Sequence, residues 1–125
     1  MSRRSKKKQK KPSANVNSKL NNVKILVSTQ RVKEAIAYLY LIYIDLVSNK
    51  FGVNKNFSQT IRDFAIVMVK QYKQNPQNIY PFIQRIEQVV YGGYPATQEF
   101  FQELLDHFGK LYLELTGNNL PTIKI

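Results

Sequence analysis

Four times along this 125-residue chain, apolar side chains recur every three or four residues, and each such stretch closes on residues that stop a helix. That period puts the apolar groups on one face of an α-helix; a half-buried strand would need alternation every second residue. The first stretch, 30–49, carries Val32, Ala35, Ile36, Leu39, Tyr43 and Leu46 as its stripe. Tyr40, Ile42, Ile44 and Val47 extend it onto other sides, which predicts the central helix of a bundle. Ser28 or Thr29 is placed to cap this helix and Gly52 to end it. The second stretch, 58–74, aligns Ile61, Phe64, Ala65, Met68 and Tyr72. Asn56 and Ser58 are candidate caps there, Asn56 with Gln59 has capping-box spacing, and Asn75-Pro76 is read as the break. The third, from about Gln77 or Ile79 to Tyr91, uses Phe82, Ile83, Ile86, Val89 and Val90, with Pro81 expected in its first turn and Gly92-Gly93 at its end. The fourth starts near 95–97 and runs to Gly117 through Phe101, Leu104, Leu105, Phe108, Leu111, Tyr112 and Leu115. There is neither an internal repeat nor strand alternation. The expectation is an all-α, compact bundle of about four helices.

Charge divides the chain differently. Arg3, Arg4, Lys6, Lys7, Lys8, Lys10, Lys11, Lys19 and Lys24 fall within the first 24 residues, where there is no acid; the other 101 residues hold ten basic and eight acidic side chains. The formal net charge of +11 is therefore concentrated at the N-terminus. A block of like charge repels itself and buries nothing, so the sequence predicts a disordered basic tail and linker over 1–28, a helical bundle over 29–117 and a loose C-terminal end over 118–125. Val23–Val27 is a short apolar patch near the start of the fold, too short to assign to helix or strand.

The tail lacks the closely following apolar run of a secretory signal and the amphipathic period of a mitochondrial presequence. The longest apolar run, 36–46 with Asp45 inside it, is too short to span a bilayer. The reading is a soluble, cytoplasmic protein. Without cysteine, disulfides, zinc fingers and thiol catalysis are excluded, and with one histidine, His107, so is a histidine-rich metal site. No metal or other cofactor is expected.

Three local motifs stand in order: Ala35-Ile36-Ala37-Tyr38 followed by the turn at Gly52; Thr60-Ile61-Arg62-Asp63-Phe64; and Glu87-Gln88-Val89-Val90-Tyr91-Gly92-Gly93 followed by Thr97. Over about two-thirds of its length the chain resembles, in these motifs, an uncharacterised bacterial and archaeal helical domain. That domain usually forms the cytosolic C-terminus of membrane proteins, some with transglutaminase-like domains, often encoded beside MoxR-type ATPases. The resemblance implies a helical interaction module with no active site to carry over. The chain departs from the family in having a Lys-rich tail where the transmembrane segment stands.

The tail is the strongest functional feature. Arg3, Arg4, Lys6, Lys7, Lys8, Lys10 and Lys11 are the expected nucleic-acid contacts, neutralising DNA or RNA phosphates without sequence preference. The same cations suit an anionic membrane surface or an acidic protein, and a purely solubilising tail is the plain alternative. Arg62 is a candidate for holding a phosphate or carboxylate on a partner, weighed against a structural pair with Glu87, while Asp63 suits a helix N-terminus. Tyr91 and Tyr94 flank two glycines, which fits a stacking or binding loop and equally a helix end with a tight turn. Glu103 and His107 stand four apart near Glu99 and Asp106, a spacing that suits two ligands, but a solvated helix face is the simpler account. Tyr38, Tyr40 and Tyr43 read as core aromatics with polar rims rather than a stacking platform. No nucleophile, base and orienting group fall together, so the chain is read as no enzyme. It is expected to be an accessory or adaptor protein of a nucleic-acid-associated assembly, its bundle docking in a larger protein complex. The alternative is an interaction module at an anionic membrane surface or on an ATPase partner.

Overall fold

The computed structural model describes residues 12–53 and 59–121, with side chains of the first helix from residue 17 onward. Five α-helices make up the described residues, and there is no strand among them: α1 Pro12–Ser28, α2 Val32–Phe51, α3 Ile61–Tyr72, α4 Pro76–Val90 and α5 Gln98–Thr116. The helix beyond the expected four is α1, in a segment read from sequence as tail and linker. Its apolar content is only a narrow stripe. Leu20, Val23 and Val27 stand three and four apart and are wholly buried, while Ile25 on the far side is exposed. Asn21, Asn22 and Lys24 lie between them, which hid the period in the sequence.

α1 folds back along α2 through a tight turn. The Arg31 N–H donates to the Leu26 carbonyl at 2.7 Å and the Gln30 N–H to Val27 at 3.0 Å, with Gln30 left-handed at φ 65°. This is the Schellman arrangement with glutamine at the position glycine usually takes. The hydroxyls of Ser28 and Thr29 donate back to the Ile25 carbonyl, so both close α1 instead of capping α2 as expected. Arg31 occupies the α2 N-cap with no side-chain capping bond. Across the hairpin Lys19 pairs with Asp45, and Asn22 donates to the Tyr38 hydroxyl at 3.2 Å.

α2 is the central helix. It packs against α1 on one side and against α4 and α5 on another, while α3 lies on α4 and α4 on α5. This is why α2 is apolar nearly all round. Tyr43 stands at the centre, its ring 6.5 Å from Phe64 and 5.7 Å from Phe82, which meets Phe108 at 5.6 Å. The Tyr43 hydroxyl donates to Oε1 of Gln74, the one buried polar residue of the described chain. Gln74 is placed by the end of α3, where Lys73 turns left-handed at φ 63°.

The remaining helix ends follow local chemistry. Thr60 caps α3 in a full capping box with Asp63, while Asn56 and Ser58 lie outside the described residues. Asn75-Pro76 opens α4 instead of only breaking the chain: Asn75 accepts from the Gln77 N–H at 3.0 Å, and Pro76 occupies the first helical position. That moves Pro81, expected in the first turn, into the second. Thr97 caps α5, and Gly52 and Gly117 close α2 and α5 in left-handed conformations. Beyond α5, Leu120 packs on the core instead of hanging loose. Residues 122–125 lie outside the described residues.

Candidate interaction surfaces

Arg3, Arg4, Lys6, Lys7, Lys8, Lys10 and Lys11 lie outside the described residues, as does the expected disorder of the tail's first eleven positions. What the fold does establish is where this segment joins. α1 is antiparallel to α2, and Lys19 meets Asp45. Pro12 is seven residues further along α1, and Phe51 six further along α2, about 10 Å in each case. The chain therefore enters the bundle at the C-terminal end of α2.

Arg62 sits in the first turn of α3 and forms a two-pronged pair with Glu87 of α4. Its Nη2 donates to Oε1 at 2.7 Å and its Nε to Oε2 at 3.3 Å. The guanidinium also lies 6.0 Å from the centre of the Tyr80 ring. The hydrogen bond to Glu87 holds its pKa above the ordinary arginine range. The Nε–Nη2 edge of Arg62 is thus engaged within the bundle. Arg85 pairs similarly with Glu103 at 3.1 Å and lies over Phe100, joining α4 to α5.

Tyr91 and Tyr94 are displayed on a rigid turn. The Tyr91 and Gly92 N–H groups both donate to the Glu87 carbonyl, at 2.9 and 3.1 Å, and the Tyr94 N–H donates to Gln88 at 2.9 Å. The two glycines are needed for different reasons. A Cβ at Gly92 would stand 2.9 Å from the Gln88 carbonyl oxygen, whereas Gly93 takes a φ of +74° with open space around it. Tyr91 and Tyr94 are 67% and 53% exposed, the largest aromatic exposures of the described chain. Near Tyr91 the Tyr40 hydroxyl is buried without a partner among the described residues, its ionisation pushed upward by burial and by Tyr91. Gln88 Oε1 is likewise unpartnered there. On α2, Leu41 is 56% exposed; from sequence it was hidden within a run that is apolar on almost every side.

Glu99, Glu103 and Asp106 face solvent on α5, and His107 is half-buried. Burial, then Arg85 and Lys110, lower the His107 pKa, opposed by Asp106 and Glu103. Among the described residues no three His, Asp or Glu side chains converge for a metal, and no helix is long and apolar enough to cross a membrane. An open groove of about 460 Å³ runs along the outer face of α5, lined by Leu105, Lys110, Leu113 and Leu120 among others.

Sequence reasoning passed over one further set of cations. Lys50 in the last turn of α2, Lys70 in the last turn of α3 and Lys73 just after it are all exposed, and none takes part in an ion pair among the described residues. The Phe51 and Tyr72 rings, 4.9 Å apart, bring the ends of α2 and α3 together. The available signal was lysine near two helix C-termini; their convergence depends on the aromatic contact. No family model, curated protein or solved structure matches the chain.

Proposed function

We propose that the protein is a non-catalytic accessory or adaptor component of a nucleic-acid-associated assembly. In this reading the basic N-terminal segment contacts DNA or RNA phosphates and the helical bundle docks on a protein partner. The observation that carries it is the partition of charge: nine cations and no acid in the first 24 residues, against near balance in the rest. Cations at that density release counterions from a phosphate backbone whatever its sequence. Support for the docking half comes from the rigid turn that holds Tyr91 and Tyr94 out to solvent, since tyrosine on a pre-organised backbone loses little entropy on being covered.

The test is fluorescence anisotropy on a 20-base-pair DNA duplex and its RNA counterpart. Wild type is compared with a full-length variant in which Arg3, Arg4, Lys6, Lys7, Lys8, Lys10 and Lys11 are glutamine. Salt-sensitive binding that the variant loses is the expected result. Equal binding by the two proteins would sink the tail's role. The same exposed tyrosines also suit an interaction module of the kind the sequence motifs resemble, at an anionic membrane or on an ATPase. Flotation with phosphatidylserine vesicles, unaccompanied by duplex binding, would favour that reading.

A further inference from the structure

The lysines at the ends of α2 and α3 lie where the basic segment joins the fold. Lys50 Nζ is 5.7 Å from the Phe51 ring centre, Phe51 meets Tyr72 at 4.9 Å, and Lys73 follows Tyr72 directly. Lys70 stands at the same end of α3, on its outward side. Around this point the carboxylates are occupied. Asp45 is held by Lys19, and Glu114 accepts from the Asn75 N–H and from Asn78 Nδ2, both at 2.8 Å. At the other end of α2, about 30 Å away by helix rise, Lys24, Arg31 and Lys33 surround the α1–α2 turn, where Glu34 lies 3.7 Å from Arg31.

We infer that Lys50, Lys70 and Lys73 form a second phosphate-contacting surface on the folded bundle, so that nucleic acid lies across the α2–α3 end and not on the tail alone. The inference rests on the nucleic-acid reading above and extends it to the bundle. Three observations support it. These cations make no ion pair among the described residues, the contact of Phe51 with Tyr72 brings Lys50 and Lys73 to one end, and α1 enters the bundle at that same end. Exposed lysines that neutralise phosphates strengthen binding to duplex whatever its sequence. The opposite cationic end has no such aromatic pair among the described residues, and α1 enters the bundle away from it.

The experiment uses full-length protein and the 20-base-pair DNA duplex, with affinity measured from 50 to 300 mM salt. K50Q/K70Q/K73Q is compared with K24Q/R31Q/K33Q, which removes the same charge from the far end, and with the sevenfold tail variant. Glutamine is suited to position 73 because Gln30 already adopts the same left-handed backbone. Unchanged helical circular dichroism confirms that each variant is folded. On the inference, K50Q/K70Q/K73Q shrinks the slope of log affinity against log salt by about 2–3, one phosphate per lysine, and the far-end variant changes it by less than about 1. An unchanged slope in K50Q/K70Q/K73Q, or equal loss in both triples, overturns the surface while leaving the tail reading intact if the tail variant loses binding. A tail variant that binds like wild type, with loss confined to K50Q/K70Q/K73Q, overturns the tail reading and supports the surface. Binding to phosphatidylserine vesicles that this triple abolishes, with none to the duplex, overturns it in favour of a membrane.

Discussion

Tyr43 carries its hydroxyl into the middle of the bundle, where only Gln74 is there to receive it. Burial, with Tyr40 and Glu114 nearby, pushes its ionisation upward, so the group stays a neutral donor. Replacing Tyr43 with Phe leaves the buried Gln74 oxygen without a donor and is expected to cost about 1–3 kcal/mol; Gln74→Leu, which strands the hydroxyl, is expected to cost a similar amount. The double variant should cost less than the two combined, since neither polar group is then left behind. Urea unfolding of the four proteins measures this, and strict additivity would argue against the bond. His107 offers a second test at this scale. Its pKa is lowered from the ordinary 6.5, chiefly by burial, so the unfolded chain binds its proton more readily than the folded one. Its contribution is thus complete above the ordinary value and declines as pH falls through 6.5 toward the lower folded value. Stability measured from pH 7.5 to 5 is expected to fall less steeply in His107→Gln than in wild type.

At the scale of elements, α1 is the clearest case of tertiary context deciding structure. Its own sequence is a mediocre helix former, with four asparagines and three serines among its seventeen residues. What holds it is the burial of Leu20, Val23 and Val27 on α2, each such side chain contributing about 1.5–3 kcal/mol relative to exposure. Leu20→Ala is therefore expected to destabilise the whole protein by about 2–5 kcal/mol in a single thermal or denaturant transition. A segment that only linked the tail to the bundle would shift by no more than about 0.5 kcal/mol. The turn at 91–94 makes the converse point. Gly92-Gly93 was legible as a helix end because a backbone close approach and a positive φ both demand glycine. That it holds two tyrosines outward required the fold, since exposure depends on what packs around the turn.

For the molecule as a whole, charge separates what the bundle needs from what it displays. Lys19, Arg31, Arg62 and Arg85 pair with Asp45, Glu34, Glu87 and Glu103, and so link α1 to α2, α3 to α4 and α4 to α5 or support a helix start. These pairs are partly exposed, and each is worth no more than about 1 kcal/mol. The first eleven residues hold seven further cations. If all seven meet duplex phosphates, the slope of log affinity against log salt is about −6, and affinity falls by about three orders of magnitude or more between 50 and 200 mM salt. A shallow dependence in the anisotropy titration would count against that engagement.

Periodicity alone determined the all-helical class, the positions of α2 to α5, the central place of α2 and the closing roles of Gly52 and Gly117, because those depend on local geometry and on one apolar face per helix. The charge partition is likewise complete in the sequence. Only the tertiary structure decided that 12–28 includes a helix, because three buried residues suffice when a neighbouring helix offers an open apolar side. It also decided that Arg62 faces Glu87, a pair 25 positions apart whose geometry no spacing rule supplies. Lys50 and Lys73 are brought to one end for the same reason: their proximity depends on Phe51 meeting Tyr72, and contacts between distant residues follow from packing rather than from sequence distance.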